Sequence, residues 1–303
     1  MKSHQPGILA SIPKQARYLF FSEMPKADLA PALYFLRDHV DGESAVLGLG
    51  NSVAEELGSH IPGLKNFAAP VGSKVEIPVT PFSLFIWLRG GDRGELLHRS
   101  RVLEKGLAGS FIFTESADSF VYKEGRDLTG YEDGTENPKG KKALSAAFVS
   151  GEGAGLDGSS FLSVQRWIHD LNTFESMGQK EKDHSVGRRQ KDNVELPKAP
   201  PSAHVKRTAQ ESFNPEAFVL RRSMPWSDGQ NGGLIFTAFG KSFDAFEAQL
   251  RRMSGAEDGI TDALFRFTKP LSTAYFWCPP MYKGKIDLRA LPGAQSITGK
   301  RKK

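Results

Sequence analysis

The feature that most constrains the fold of this chain is a pattern that occurs once in each half of the sequence. SLFIWLRGGDRGELLHRSRVL (83–103) and GLIFTAFGKSFDAFEAQLRRM (233–253) each contain an apolar strand, a glycine-containing turn and an amphipathic helix of similar length. This internal similarity indicates two related halves. It predicts an α+β chain of two tandem ferredoxin-like units (β-α-β-β-α-β), whose antiparallel sheets pack together with the helices outside.

The pattern also predicts the domain organisation. We expect residues 1–150 to form an N-terminal ferredoxin-like half and residues 151–290 a C-terminal one. Residues 291–303 are expected to be a basic, disordered tail. The polar stretch 178–212 is long for a connection, which is typical of either disorder or a functional loop.

Charge and composition exclude several classes of protein. The net charge is +5, but the last five residues, GKRKK, supply four positive charges, so the rest of the chain requires no basic face. A single cysteine, Cys278, excludes an internal disulfide and a CxxC metal site, and we expect it to be a buried structural thiol. The sequence has no apolar run of signal-peptide or membrane-span length. These features predict a cytoplasmic protein that binds neither nucleic acid nor a membrane.

Most familiar catalytic motifs are missing or incomplete. Gly48 and Gly50 precede a predicted helix, but Val53 replaces the third glycine of a dinucleotide fingerprint, so a strand-to-helix turn is the better interpretation. No two of the seven histidines stand at HxH or HxxxH spacing. A site that uses one histidine remains open, as in haem proteins, where the porphyrin supplies the other ligands.

Three short strings carry the remaining chemistry. GYEDGTENP contains Asp133, SAHVKRT contains His204, and VLRRSMPW contains Arg221 and Arg222. Each has an ordinary explanation when taken alone. An Asp between glycines suits a turn, a lone His is usually not a ligand, and paired arginines often mark a solvated strand edge.

Together and in this order, the strings resemble the dye-decolorizing (DyP-type) haem peroxidases. The GxxDG core of that family is represented by Gly130, Asp133 and Gly134. The resemblance also includes QPGILASIP, RYLFF, RWIHDL, VGRR, HVKR, LRRSMPW and DALFRFT, and reaches about residue 280. Without long insertions or a twin-Arg signal, the chain is most similar to the shorter, intracellular B-type subgroup.

The resemblance implies a haem b in each chain, with His204 as the axial ligand of the iron. Asp262 would bind the other ring nitrogen of His204, although a role as a helix or turn cap remains the alternative. Asp133 would be the distal acid–base group and Arg221 would stabilise O–O cleavage. Strand alternation allows only one of the paired arginines to face the haem, and a register slip would select Arg222 instead.

Four further residues complete the implied site. Ser223 would share the face of Arg221, where some relatives carry Asn. Phe236 would form the apolar wall above the iron. Arg188 and Arg207 are candidates to bind the haem propionates, with a plain surface position as the alternative.

By resemblance, the chain would reduce hydrogen peroxide through a ferryl intermediate and oxidise dyes, aromatic compounds or other one-electron donors. Bulky donors would react at the haem edge or through surface side chains, for which Trp167, Trp226 and Tyr131 are candidates by residue type. The family also implies a homo-oligomer and allows packaging in an encapsulin-like protein shell, although no clear targeting motif is visible.

Other functions remain open. Haem iron release, porphyrinogen oxidation and non-catalytic haem transport would all use a similar pocket. Two ferredoxin-like halves also occur in RNA-binding proteins, but no aromatic RNP pattern is visible in the strands.

Overall fold

The computed structural model describes residues 3–294. The strands within these residues are β1 (Gln15–Glu23), β2 (Ala45–Leu49), β3 (Leu84–Gly90), β4 (Phe111–Phe120), β5 (Ser160–His169), β6 (Leu220–Arg221), β7 (Met224–Asp228), β8 (Asn231–Gly240), β9 (Thr268–Cys278), β10 (Met281–Tyr282) and β11 (Lys285–Ile286). The α-helices are α1 (Ala30–His39), α2 (Asn51–Glu56), α3 (Arg93–Leu107), α4 (Lys141–Ala147), α5 (Leu171–Ser176), α6 (Gln179–Val186), α7 (His204–Arg207) and α8 (Asp244–Met253). Short 3₁₀ turns cover Pro6–Ile8, Gln210–Ser212 and Ala263–Arg266.

The two halves of the chain repeat one strand order. The N-terminal sheet runs β4-β1-β3-β2, and the C-terminal sheet runs β9-β5-β8-β7. If the four strands of each sheet are numbered along the chain, both orders read 4-1-3-2. The sequence-based prediction of an α+β fold with two ferredoxin-like halves is therefore confirmed.

The two sheets are also joined along both edges, which the sequence did not predict. β4 pairs with β7 at Ser119 and Trp226, and β2 pairs with β9 at Leu49 and Trp277. Because β5 also pairs with β8, eight strands form a closed ring, with β6 attached to β8. Closure leaves few unpaired strand edges.

Strand alternation divides the side chains of each strand between the interior and the outer face of the ring. The interior is an apolar core to which both halves contribute, for example Tyr18, Phe20, Phe85, Trp87, Leu162, Val164, Phe239 and Phe276. Cys278 is fully buried there as predicted, and burial raises the pKa of its thiol. On the outer face, α1 and α3 cover the N-terminal sheet. The outer face of the C-terminal sheet forms a wall of the cavity described below.

The stretch 178–212 has defined structure, since it contains α6, α7 and a short antiparallel bridge between Arg188 and Glu195. At the start of the predicted tail, Leu291 and Ala294 are buried, and the rest of that tail lies outside the described residues. The domain boundaries at 150 and 290 stay predictions. Within residues 3–294, no helix is long and apolar enough to cross a membrane.

Candidate active site

A cavity lies against the outer face of the C-terminal sheet. Much of its wall is apolar, and polar groups converge on it from several elements. The lining residues with functional groups or large side chains include Asp127, Thr129, Tyr131, Glu132, Asp133, Gln165, Trp167, His169, His204, Arg221, Phe236, Phe246, Phe267 and Thr268.

One wall of the cavity carries a histidine backed by a buried carboxylate. His204 begins α7, and its Nδ1 lies 2.7 Å from Oδ2 of Asp262. The Asp262 side chain is fully buried, and its Oδ1 accepts a 2.9 Å hydrogen bond from the backbone N–H of Leu264. Asp262 therefore makes both contacts that the sequence left as alternatives. Nε2 of His204 has no hydrogen-bond partner among the described residues and is free to bind a ligand.

A second part of the wall brings an acid and an arginine together. Oδ1 of Asp133 lies 3.8 Å from Nη1 of Arg221, and both side chains are largely buried. The same oxygen accepts a 2.7 Å hydrogen bond from the backbone N–H of Gly134. Gly130 and Gly134 both have φ in the left-handed region, at 83° and 74°, which explains why the tight loop uses glycine there.

Asn137 holds this loop against the strand that carries the arginine. Its Nδ2 donates to the carbonyl oxygen of Arg221 at 3.0 Å, and its Oδ1 accepts from the backbone N–H of Arg221 at 2.8 Å. This role of Asn137 was not predicted from the sequence. The only available signal was its place in TENP, directly after the GxxDG core.

The paired arginines point in opposite directions, as strand alternation predicts. Arg221 lines the cavity. Arg222 donates from Nε to the carbonyl oxygen of Ile8 and from Nη2 to that of Leu9, so it fixes the N-terminal segment instead. The geometry favours Arg221 over Arg222 as the distal arginine, and that role stays a prediction.

Phe236 lines the cavity and packs near Phe246, with ring centroids 6.1 Å apart. Ser223 is not among the lining residues, and its Oγ accepts a long, 3.4 Å hydrogen bond from the backbone N–H of Thr237. A role for Ser223 in the site stays a prediction that this geometry does not favour.

The two arginines expected to bind propionates are both engaged within the protein. Arg188 donates to Oε1 of Glu136 at 2.5 Å. Glu136 lies in the loop that carries Asp133, residues 127–138, which we call the acid loop. Arg207 is buried and forms a two-pronged ion pair with Asp258, with N–O distances of 2.7 and 2.8 Å. These hydrogen bonds lower the pKa of Asp258 to about 2. Neither arginine lines the cavity, so the geometry does not favour the propionate role, which stays a prediction.

The cavity wall holds a second histidine–aspartate pair. Nε2 of His169 lies 2.9 Å from Oδ1 of Asp127, and Nδ1 lies 2.8 Å from Oγ1 of Thr268. Burial raises the pKa of Asp127, but its interactions with His169 and Thr129 outweigh burial, so this pKa is lower than usual. His169 lies in RWIHDL, which carried part of the family resemblance, but no role was predicted for it.

The three aromatic residues proposed as surface sites of oxidation are all buried. Trp167, Trp226 and Tyr131 are 7%, 3% and 4% exposed, respectively. Trp167 and Tyr131 line the cavity, while Trp226 packs inside the ring and donates to the carbonyl oxygen of Trp167. Their interpretation as surface sites was wrong, because residue type alone does not reveal whether a side chain is buried in the folded chain.

Comparisons with known proteins agree on one family. A family model described as "Dyp-type peroxidase, C-terminal" matches residues 124–283, just over half of the chain. The dye-decolorizing peroxidase of Mycobacterium tuberculosis is 26% identical over 251 residues, which cover 80% of this chain and 75% of that protein. A putative dyp-type peroxidase from Shewanella oneidensis has a TM-score of 0.85 and 26% identity, over 98% of this chain and 99% of that one. A DypB variant from Rhodococcus jostii, solved in complex with haem, shares the fold with a TM-score of 0.82 and 22% identity, over 89% of this chain and 94% of that one.

Proposed function

This chain belongs to the Dyp-type peroxidase family, and from that premise we propose that it is a haem b peroxidase that uses the cavity described above. It reduces hydrogen peroxide and oxidises small aromatic or dye-like one-electron donors. The observation that carries the proposal is that one cavity collects His204, which is backed by Asp262, and the Asp133–Arg221 pair.

The donor groups of the cavity fit a haem. His204 offers a free Nε2, and the phenylalanine-rich walls suit a flat apolar ring. The R. jostii relative that shares the fold was solved with haem. A haem bound here would supply the iron at which peroxide is reduced.

On the His204 side, the protein sets the direction and strength of the nitrogen donor. Nδ1–H donates to the buried carboxylate of Asp262 at 2.7 Å, which fixes the tautomer and the orientation of the ring. A carboxylate in this position also makes Nε2 a stronger donor.

Elsewhere on the cavity wall, Asp133 moves a proton. Its carboxylate takes a proton from one peroxide oxygen and returns it to the other, directly or through one water. Arg221, 3.8 Å away, stabilises the negative charge that develops as the O–O bond breaks. Each peroxide takes up two electrons and two protons and leaves as two molecules of water. Two donor molecules supply one electron each.

We place donor oxidation at the mouth of the cavity. The aromatic residues first considered as surface sites are buried. Glu132 lines the cavity and its side chain is 42% exposed, so the cavity is open to solvent beside it. Homo-oligomer formation, a cytoplasmic location and packaging in a protein shell stay predictions.

A haem-handling protein without peroxidase activity is the second candidate, since it would use the same His204. A non-catalytic carrier has no need for the Asp133–Arg221 pair, so this pair favours the enzyme. Anaerobic incubation with haem tests iron release, which would convert the Soret band to the spectrum of intact metal-free porphyrin.

The test of the proposed function is an absorption titration. We expect the chain to bind haem with a Soret band that shifts on addition of peroxide and returns when a dye donor is added. His204→Ala should lose that band. A haem-bound chain whose spectrum does not respond to peroxide would overturn the proposal.

A further inference from the structure

We propose that His169 is a positioning residue for Asp133, because its pairing with Asp127 fixes one end of the loop that carries the acid. The inference rests on the proposed function, in which Asp133 transfers the proton. It concerns a pair of cavity-lining groups that the proposed chemistry does not use.

The His169 ring is fixed through both nitrogens. Thr268 Oγ1 donates to the carbonyl oxygen of Ile168 at 2.9 Å, so at 2.8 Å it accepts from Nδ1–H of His169. On the other side of the ring, Nε2 lies 2.9 Å from Oδ1 of Asp127. Only 6% of the His169 side chain is exposed, so water cannot readily replace either contact.

Asp127 transmits this position to the acid loop. Its Oδ2 accepts from the backbone N–H of Thr129 at 3.0 Å and from the Thr129 hydroxyl at 2.6 Å. Its backbone N–H donates to the carbonyl oxygen of Tyr131, and its carbonyl oxygen accepts from Gly130 N–H, both at 2.8 Å. Asp127 is thus the first residue of a turn that ends at Tyr131, two residues before Asp133.

The acid loop is therefore held at both ends. The His169–Asp127 pair connects its start to the ends of β5 and β9, and Asn137 connects its other end to β6 through two hydrogen bonds to Arg221. A catalytic group held on a loop needs such supports, because a displacement of about 0.5 Å already impairs its geometry. Removing His169 would also leave a buried carboxylate without its partner and free the turn to shift.

The test compares His169→Gln, Asp133→Ala and the double variant by the bimolecular rate of the haem-loaded protein with hydrogen peroxide. A shift in the loop should lower this rate by about 10-fold in His169→Gln, less than the ~100-fold that a 1 Å misplacement costs. In the Asp133→Ala background, His169→Gln should cause no further loss. His98→Gln, on the exposed side of α3, is the matched control and should react like the wild type.

The outcomes separate the two proposals. If Asp133→Ala reacts with peroxide as fast as the wild type, the proposed function fails. If Asp133→Ala reacts slowly with peroxide but His169→Gln reacts at the wild-type rate, the positioning role is overturned. It is also overturned if His169→Gln lowers the rate further in the Asp133→Ala background. If His169→Gln loses haem or fails to fold, Thr268→Val replaces it, since it removes only the acceptor of Nδ1–H. Thr268→Val should lower the same rate only when Asp133 is present, and not in the Asp133→Ala background. A Thr268→Val protein that reacts at the wild-type rate would refute the inference.

Discussion

Replacing Asp262 by Asn removes one acceptor from the buried side chain behind His204. Asp262 uses both carboxylate oxygens, one for Nδ1 of His204 at 2.7 Å and the other for the Leu264 N–H at 2.9 Å. Asn has one acceptor oxygen, and its NH₂ group cannot accept from either donor. The variant must therefore lose the turn cap or the bond that orients the histidine.

The size of the effect follows from the bond that is lost. A hydrogen bond to a charged group contributes about 1.5–3 kcal/mol, and this carboxylate is shielded from water. At about 1.4 kcal/mol per factor of ten, that is a loss of roughly 10–100-fold in haem affinity. The same range, ~10–100-fold, is typical when a partner behind a metal-binding histidine is removed.

The assay is a haem titration of the apoprotein, followed by absorbance, with the dissociation constant as the result. Asp228→Asn, an exposed position at the end of β7, makes the same chemical change away from the cavity and should bind haem like the wild type. Unfolding in denaturant should separate loss of the turn cap from loss of haem affinity.

If Asp262→Asn binds haem as tightly as the wild type and its haem spectrum is unchanged, the hydrogen bond does not govern the donor nitrogen of His204. The account of that wall of the cavity would then be refuted.

Three further predictions test neighbouring contacts. Arg221→Leu should slow the reaction with peroxide by ~10²–10³-fold, the usual cost of a lost charge-stabilising donor. Arg222→Leu should leave that rate intact and lower the melting temperature, because Arg222 fixes the N-terminal segment. Asn137→Leu should slow the peroxide step about 10-fold while haem stays bound, measured by stopped-flow absorbance. Interactions in the folded state lower the pKa of Asp127. The ionised carboxylate therefore stabilises the folded chain at pH values above its unfolded pKa of about 3.9, and this stabilisation is lost as the pH falls through the lower folded pKa. Asp127→Asn should therefore be less stable than the wild type at neutral pH and lose less stability below about pH 4, measured by urea unfolding.

Local patterns in the sequence were enough to predict the architecture of each half. The repeated strand, glycine turn and helix indicated two ferredoxin-like units, and both observed sheets have the order that such units require. Strand alternation likewise predicted that Arg221 and Arg222 face opposite ways. These features depend on residues close together in the chain, where periodicity carries the information.

Contacts between distant parts of the chain could not be predicted in the same way. The ring closes through strand pairs such as Leu49 with Trp277, for which neither strand carries a local signal. Arg207 looked available for a propionate because its partner Asp258 lies 51 residues away. Asn137 contacts Arg221 across 84 residues, so its part in positioning the acid loop appears only in the folded chain.

The central claim is that Asp133 transfers the proton that peroxide reduction requires. The most direct measurement is the rate at which the absorption of the haem-loaded protein changes after mixing with hydrogen peroxide, compared between the wild type and Asp133→Ala. We predict that Asp133→Ala binds haem like the wild type and reacts with peroxide ~10²–10⁴-fold more slowly, the usual contribution of a positioned acid–base group. An Asp133→Ala protein that binds haem and reacts at the wild-type rate would contradict the account.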